Sequence, residues 1–340
     1  RDLHLSIRRQ RQMCIRDRFN DAGYTFSQGL EVLRIDIAKK YANDYGVKIL
    51  PEQVLVSNGS SLLLYLAIRI LAPPGSQVIL TDPCYACYEN VVRLAGAEPV
   101  MIKLRHEDGF QLNVDDLKKR VTPKTRAMLI NSPMNPTGVV FSSEVMKALA
   151  ELDIPIISDE IYADLSFEDP PCSFLSFSPQ TVAIHGFSKS YAMTGWRLGY
   201  MITPLEWMSA ADRLHQNLMI SATEFVQEAG IWVLQKSKAY CESMKMEFNR
   251  RRLFVLERMR ELGMDLGYTP TGAFYVLYKY RDSEKSSLDL CHEVLEKTGV
   301  AIAPGRDFGL GAEGFVRISY AQSMENLDRA LNLLAESMLL

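Results

Sequence analysis

From Tyr24 onward, short apolar runs rich in β-branched residues alternate with stretches of helical periodicity. Leu30, Leu33, Ile37, Ala38, Tyr41 and Tyr45 share one helical face, and Gly46 marks its end. Residues 54–56 predict a strand, followed by Asn58-Gly59-Ser60 and an apolar helix over 61–71. Pro73-Pro74-Gly75 then turns the chain into a strand at 78–81. Further buried-strand signals fall at 127–131, 154–158, 182–185 and 198–202, with helical segments between several of them, including 145–152. This alternation predicts an α/β protein: a mostly parallel sheet covered by helices. Beyond about residue 204 the pattern becomes long helices, over 205–217, 223–236 and 238–262. Strands at 274–277, 300–303 and 315–319, a helix over 287–297 and a last helix from Ser323 complete it. That predicts a smaller α+β domain. The division is placed at 19–240 and 241–340, with the helix near 238–262 bridging the two parts.

Composition adds limits. At 340 residues, 47% hydrophobic and 23% charged, the chain is ordinary for a folded protein, which excludes disordered and collagen-like classes. A net charge of -3 gives no global pull toward nucleic acid or membrane surfaces. The longest apolar stretch, 62–72, is interrupted by Arg69 and is too short to span a bilayer. Residues 1–18 stand apart, with six arginines against two aspartates and a local charge of +4. Such a run reads as a solvated tail or as a nucleic-acid or membrane arm. Its QMCIRDR stretch resembles a translated adapter, so the segment is expected to be non-native and is set outside the fold. The six cysteines are scattered, and Cys84-x-x-Cys87 has neither a second pair nor nearby histidines. Reduced thiols in a cytoplasmic chain, with no metal, are therefore expected.

In open parallel sheets, ligands bind beyond the carboxyl ends of the strands, so polar residues that follow apolar runs are the candidates. Asn58-Gly59-Ser60, at a helix start, would suit a phosphate; a plain serine-capped helix is the other reading. Asn131-Ser132-Pro133-Met134-Asn135-Pro136-Thr137-Gly138 forms either a rigid mount for the Asn135 amide or an ordinary turn. Asp159, in Asp159-Glu160-Ile161-Tyr162, ends an apolar run, where a carboxylate is costly unless it meets a cation. Lys189 follows the strand at 182–185, and burial there would ease loss of its proton. It is a candidate Schiff-base nucleophile; a solvated surface lysine is the other reading. The G-x-G-x-x-G run at Gly309-Leu310-Gly311-Ala312-Glu313-Gly314 precedes a strand, whereas a dinucleotide loop follows one, so it is set aside.

In order, these pieces resemble the fold-type-I, pyridoxal-phosphate-dependent aminotransferases of class I/II, the aspartate aminotransferase-like enzymes. The likeness runs from Tyr24 to about Ala321 and is most specific at Ser188-Lys189 with Gly195-Trp196-Arg197-Leu198-Gly199-Tyr200. Asn135-Pro136-Thr137-Gly138 and Asp159-Glu160-Ile161-Tyr162 support it. The resemblance implies a seven-stranded large domain and a smaller C-terminal domain. It also implies pyridoxal 5′-phosphate joined to Lys189, with Asp159 on the ring nitrogen and Tyr162 and Asn135 on the ring oxygen. Tyr85 would stack on the ring, while Asn58, Gly59, Ser60, Ser188 and Arg197 would surround the phosphate. Arg317 would grip the substrate carboxylate, with Asn135 beside it, unless it serves a structural ion pair. Tyr24 would cross to the neighbouring subunit's phosphate, making the enzyme a homodimer.

Two departures stand out. Gly186 replaces a serine common three residues before the lysine. The family also has tens of residues ahead of the tyrosine motif, including part of the substrate lid, where this sequence carries only the basic stretch. The expected activity is ping-pong transfer of an amino group between an α-amino acid and an α-keto acid. A β-eliminating C–S lyase on the same fold is the alternative. A transcription regulator with an aminotransferase-like domain is more distant, because residues 1–23 are too few for a winged helix and show no helix-turn-helix pattern.

Overall fold

The computed structural model describes residues 23–281 and 284–337; the arginine-rich segment 1–18 lies outside them. Seven strands form the main sheet: β1 (Val54–Ser57), β2 (Gln77–Asp82), β3 (Glu98–Lys103), β4 (Thr125–Asn131), β5 (Ile156–Asp159), β6 (Thr181–Gly186) and β7 (Gly199–Ile202). Their spatial order is β1-β7-β6-β5-β4-β2-β3. Only β7 runs against its neighbours; the β2–β3, β2–β4, β4–β5 and β5–β6 pairs are parallel.

The strands are apolar along their length because both faces are covered. Val78 and Leu80 of β2 face one layer with Leu129, Ile157 and Met201. That layer includes α2 (Ser60–Leu71), α3 (Tyr88–Leu94) and α6 (Leu205–Met219). Ile79, Met128 and Ile156 face the other side, toward α5 (Ser143–Ala150) and the chain around α4 (Val114–Lys118). The same alternation puts Val54, Val56 and Tyr200 against α1 (Glu31–Asp44) and α7 (Glu224–Lys236). This is the period-two consequence of a pleated strand.

Beyond α7, the long helix α8 (Lys238–Glu261) leads to an antiparallel sheet of β8 (Tyr275–Lys279), β9 (Ala303–Pro304) and β10 (Phe315–Ser319), in the order β8-β10-β9. With α9 (Ser287–Thr298) and α10 (Met324–Glu336) it encloses its own core of Val255, Met259, Val276, Leu290, Val316 and Leu331. Among the described residues, no helix is long and apolar enough to cross a membrane.

Two elements differ from the pattern-based expectation. β3 is an added edge strand that carries Pro99, tolerable there because an edge needs fewer ladder donors. The strand expected at 300–303 shrinks to Ala303–Pro304. The amide of Val300 is taken by the Thr298 hydroxyl at 3.1 Å, a turn that closes α9 rather than starting a ladder.

Candidate active site

The sheet brings three strand ends together. Asn131 at the end of β4 is in register with Asp159 at the end of β5, and Asp159 is in register with Ile184 of β6. The loop after β6 then carries Ser188 and Lys189 over these tips.

At one edge of the site, β1 delivers Asn58 and Gly59 to the N-terminus of α2. Gly59, not Ser60, is the N-cap, and no side chain caps the helix, so the serine-capped reading fails. Gly59 has φ +90° and faces Arg197: a Cβ built on it would lie 2.4 Å from Arg197 Nη2. A Cβ on Gly199 would sit 2.7 Å from Gly59 C and 2.8 Å from the Ser60 amide nitrogen, so β7 can approach only as glycine. Arg197 itself has φ +56°, a left-handed conformation that costs about 1–3 kcal/mol in a bulky residue. It is exposed, donates Nη1–H to the Thr194 carbonyl at 3.2 Å, and has no ion-pair partner among the described residues. An uncapped helix start beside an unpaired guanidinium and the half-buried Ser188 makes an anion cradle. Asn58 does not reach inward; its Oδ1 accepts the Thr223 amide at 3.2 Å.

At the centre, Asp159 is 4% exposed. Its Oδ2 accepts the Tyr88 hydroxyl at 2.6 Å and its Oδ1 accepts the Ile161 amide at 3.2 Å. Burial pushes this carboxyl up to about 6, while those donors and Lys189 pull it back. Lys189 Nζ makes no hydrogen bond or ion pair among the described residues and lies 5.9 Å from the Tyr162 ring centroid and 5.8 Å from that of Phe274. Burial, then Arg317 and Arg197, holds its ammonium below the ordinary lysine range, against Asp159. Lys189 thus lies within electrostatic reach of Arg317, Arg197 and Asp159.

On the far side stands Arg317 of β10. Its Nη1–H donates to Asn135 Oδ1 at 2.9 Å, and its guanidinium lies 4.4 Å from the Tyr275 ring centroid and 4.7 Å from that of Phe308. Its Nε is buried without a partner, and no carboxylate pairs with it among the described residues. Asn135 is held in turn, its amide donating to Asn131 Oδ1 at 2.9 Å, while Asn131 Nδ2–H donates to the Asp159 carbonyl at 2.9 Å. Tyr162 shares a 3.1 Å hydrogen bond with the Tyr275 hydroxyl, and burial holds its phenol well above the ordinary range, so it is a neutral donor. Tyr85 is half-buried and meets Tyr88 edge-to-face at 5.5 Å. Tyr24 is 84% exposed.

Sequence reasoning missed Tyr88, Tyr275 and Phe308, and gave Asn131 only as the start of a motif. Tyr88 stands three residues after Tyr85, an available signal; nothing local marks the others, because only tertiary packing gives them neighbours. The set-aside glycine run has a different use. A Cβ on Gly309 would fall 2.2 Å from Asp82 Oδ1, and the Gly311 amide donates to both Asp82 oxygens at 2.9 Å. These glycines seat the loop before β10 on the end of β2.

An unpaired lysine, a buried acid, an uncapped helix start beside a guanidinium and a second arginine without a carboxylate partner among the described residues thus gather around the carboxyl ends of a parallel sheet. The family model described as aminotransferase class I and II matches residues 6–334, further at both ends than the likeness read from motifs. An aspartate aminotransferase of Pyrococcus horikoshii is 36% identical, over 91% of this chain and 81% of its own length. A (5-formylfuran-3-yl)methyl phosphate transaminase of Methanocaldococcus jannaschii is 37% identical, over 92% and 82%. The solved aromatic aminotransferase of P. horikoshii superposes with a TM-score of 0.88 at 34% identity, over 93% and 87%. The chain belongs to the class I and II aminotransferases and is an enzyme of amino-group transfer.

Enzymes of this type depend on pyridoxal 5′-phosphate. The residues present fit it. The glycine-floored cradle at Gly59 could take its phosphate, the buried Asp159 a protonated ring nitrogen, and the unpartnered Lys189 amine its aldehyde.

Proposed function

We propose that transfer runs on these side chains, with Lys189 as the base and covalent anchor and Asp159 as the partner of the ring nitrogen. Bound there, the cofactor supplies an electron sink for charge developing at the substrate Cα. Lys189 moves the proton to and from that carbon, helped by surroundings that disfavour its ammonium. Tyr162 and Asn135 donate to the ring oxygen, and Tyr85 covers the ring face. Gly59, Ser60, Ser188 and Arg197 hold the phosphate, with Asn58 bracing that turn through Thr223. Arg317 grips the α-carboxylate with its fork, flattened between Tyr275 and Phe308 and steadied by Asn135. The two substrates, an α-amino acid and an α-keto acid, use this site in turn, giving ping-pong kinetics.

One observation carries the assignment: Lys189, without an acidic partner among the described residues, lies within electrostatic reach of both the buried Asp159 and Arg317, itself free of carboxylate partners there. A panel of amino acids scored for the matching keto acid tests it, with Lys189→Ala as the inactive control. Keto acid from at least one donor is expected. Pyruvate and ammonia from cysteine conjugates, with no transamination, would point to the lyase instead.

We also propose a homodimer. A cleft of about 700 Å³ beside Arg197 is rimmed by exposed apolar groups, Trp196 at 50% and Phe225 at 54%, which a second copy would cover. Tyr24 would then reach the partner's phosphate cradle. The cytoplasm suits the free thiols Cys84, Cys87, Cys172, Cys241 and Cys291. Residues 19–240 are taken as the cofactor-binding domain and 241–340 as the smaller one, a boundary just inside α8.

A further inference from the structure

Tyr88 was not among the residues that the motifs suggested, yet its hydroxyl makes the shortest contact to the central acid. The phenol is 2% exposed, and its O–H donates to Asp159 Oδ2 at 2.6 Å. Its ring is also fixed, set edge-to-face at 81° against Tyr85, and its amide donates to the Tyr85 carbonyl at 3.0 Å. The second carboxylate oxygen is tied by the Ile161 amide, and the strand carrying it is tied by Asn131. Asp159 is therefore held at both oxygens, and each donor favours its ionised form.

We propose that Tyr88 is the positioning residue of the site: its hydroxyl keeps the Asp159 carboxylate ionised and aimed at the cofactor's ring nitrogen, while its ring supports Tyr85. The inference rests on the assignment of Asp159 to that nitrogen.

The physical need is plain. A carboxylate removed from water prefers to take up a proton, and a protonated acid cannot hold a protonated ring nitrogen by charge. The groups that face Asp159 are Lys189 from the loop after β6, Tyr162 after β5, and Tyr85 and Tyr88 from the turn into α3. Lys189 is the cation among them, and its ammonium would be given up on joining a carbonyl group. What then favours the ionised acid from the protein side is hydrogen bonding, and Tyr88 is the side chain that supplies it. Burial holds the Tyr88 phenol well above its ordinary range, so the O–H persists as a donor across the working pH.

The sign of the pH effect follows. With its folded value raised to about 6, Asp159 makes the cofactor-free protein lose stability as pH rises from about 4 toward 6. Removing the Tyr88 donor raises that value further and extends the loss above pH 6. In Tyr88→Phe the thermal midpoint of the full-length, cofactor-free protein should lie below wild type by a gap that widens between pH 5 and pH 8. Cofactor affinity, titrated by absorbance at pH 7, should fall about tenfold, the scale expected for a hydrogen bond to a charged group. In an Asp159→Asn background, where no carboxylate remains, Tyr88→Phe should change neither quantity with pH. A pH-independent gap, or affinity within twofold of wild type, overturns the proposal, since packing alone would do that. If Asp159→Asn itself binds cofactor as tightly as wild type, the assignment of Asp159 fails, and this inference with it.

Discussion

Gly59 lacks a side chain because the Arg197 guanidinium occupies the space one would need. Gly59→Ala must push that guanidinium aside and also accept φ +90°, so we expect about 1 kcal/mol of lost stability and a larger loss of phosphate binding. Inorganic phosphate protection of the cofactor-free protein, followed by thermal shift, reads the second effect separately. Arg317→Lys keeps the charge but gives up the fork and the stacking on Tyr275 and Phe308. KM for amino acids should rise by about 10–100-fold with a smaller change in kcat, measured in steady state. At this scale the sequence was most legible where chemistry sits in a contiguous motif, as in Ser188-Lys189 or Asp159-Glu160-Ile161-Tyr162. It was silent on Tyr275 and Phe308, ordinary aromatics whose meaning comes from an arginine some tens of residues on in the chain for Tyr275 and at the far end of a loop for Phe308.

Elements behind the site are tied by a buried polar network. Lys40 of α1 donates to Asp164 Oδ1 at 2.9 Å, the Tyr45 hydroxyl donates to the same oxygen at 2.6 Å, and His185 of β6 lies 3.6 Å from Oδ2. Burial alone would push the Asp164 carboxyl up, but Lys40, His185 and Tyr45 hold it well below the usual carboxylate range. Stability from Asp164 is thus present above about pH 4 and is lost as pH falls below it. His185, pushed down to about 4 by burial, adds a loss as pH falls from about 6.5 toward 4. Lys40→Met should cost about 3 kcal/mol near neutral pH by stranding Asp164, and should flatten the acid branch of the denaturation profile. Urea melts between pH 3 and pH 7 check both. This network was not legible in the sequence, since Lys40 and Asp164 are ordinary surface-type residues there, His185 only ends a buried-strand signal, and the three become partners only when α1 packs on the sheet. The strands themselves were legible because a two-faced buried strand is an apolar run. β3 escaped because an edge strand carries weaker patterning and a proline.

In the whole molecule, the proposed phosphate cradle lies beside the exposed Trp196 and Phe225, so assembly and cofactor binding should be linked. Phe225→Glu places a charge on that surface, and we expect sedimentation to shift toward monomer while cofactor affinity drops several-fold. Wild-type protein should also gain about 2.7 kcal/mol of stability at a cofactor concentration one hundred times its Kd, because the ligand binds only the folded chain. The sequence by itself determined the α/β alternation, the family and the order of the reactive residues, because each is written in local spacing: period two, period 3.6, or a short motif. Only the tertiary structure decided which residues meet. It brought the tips of β4, β5 and β6 into register and seated Gly309 and Gly311 on Asp82. It also set Arg317 against Asn135 and placed the Tyr88 hydroxyl on Asp159. Those contacts join residues 25 to 229 positions apart, and no local pattern can record a distance that exists only after the chain has closed on itself.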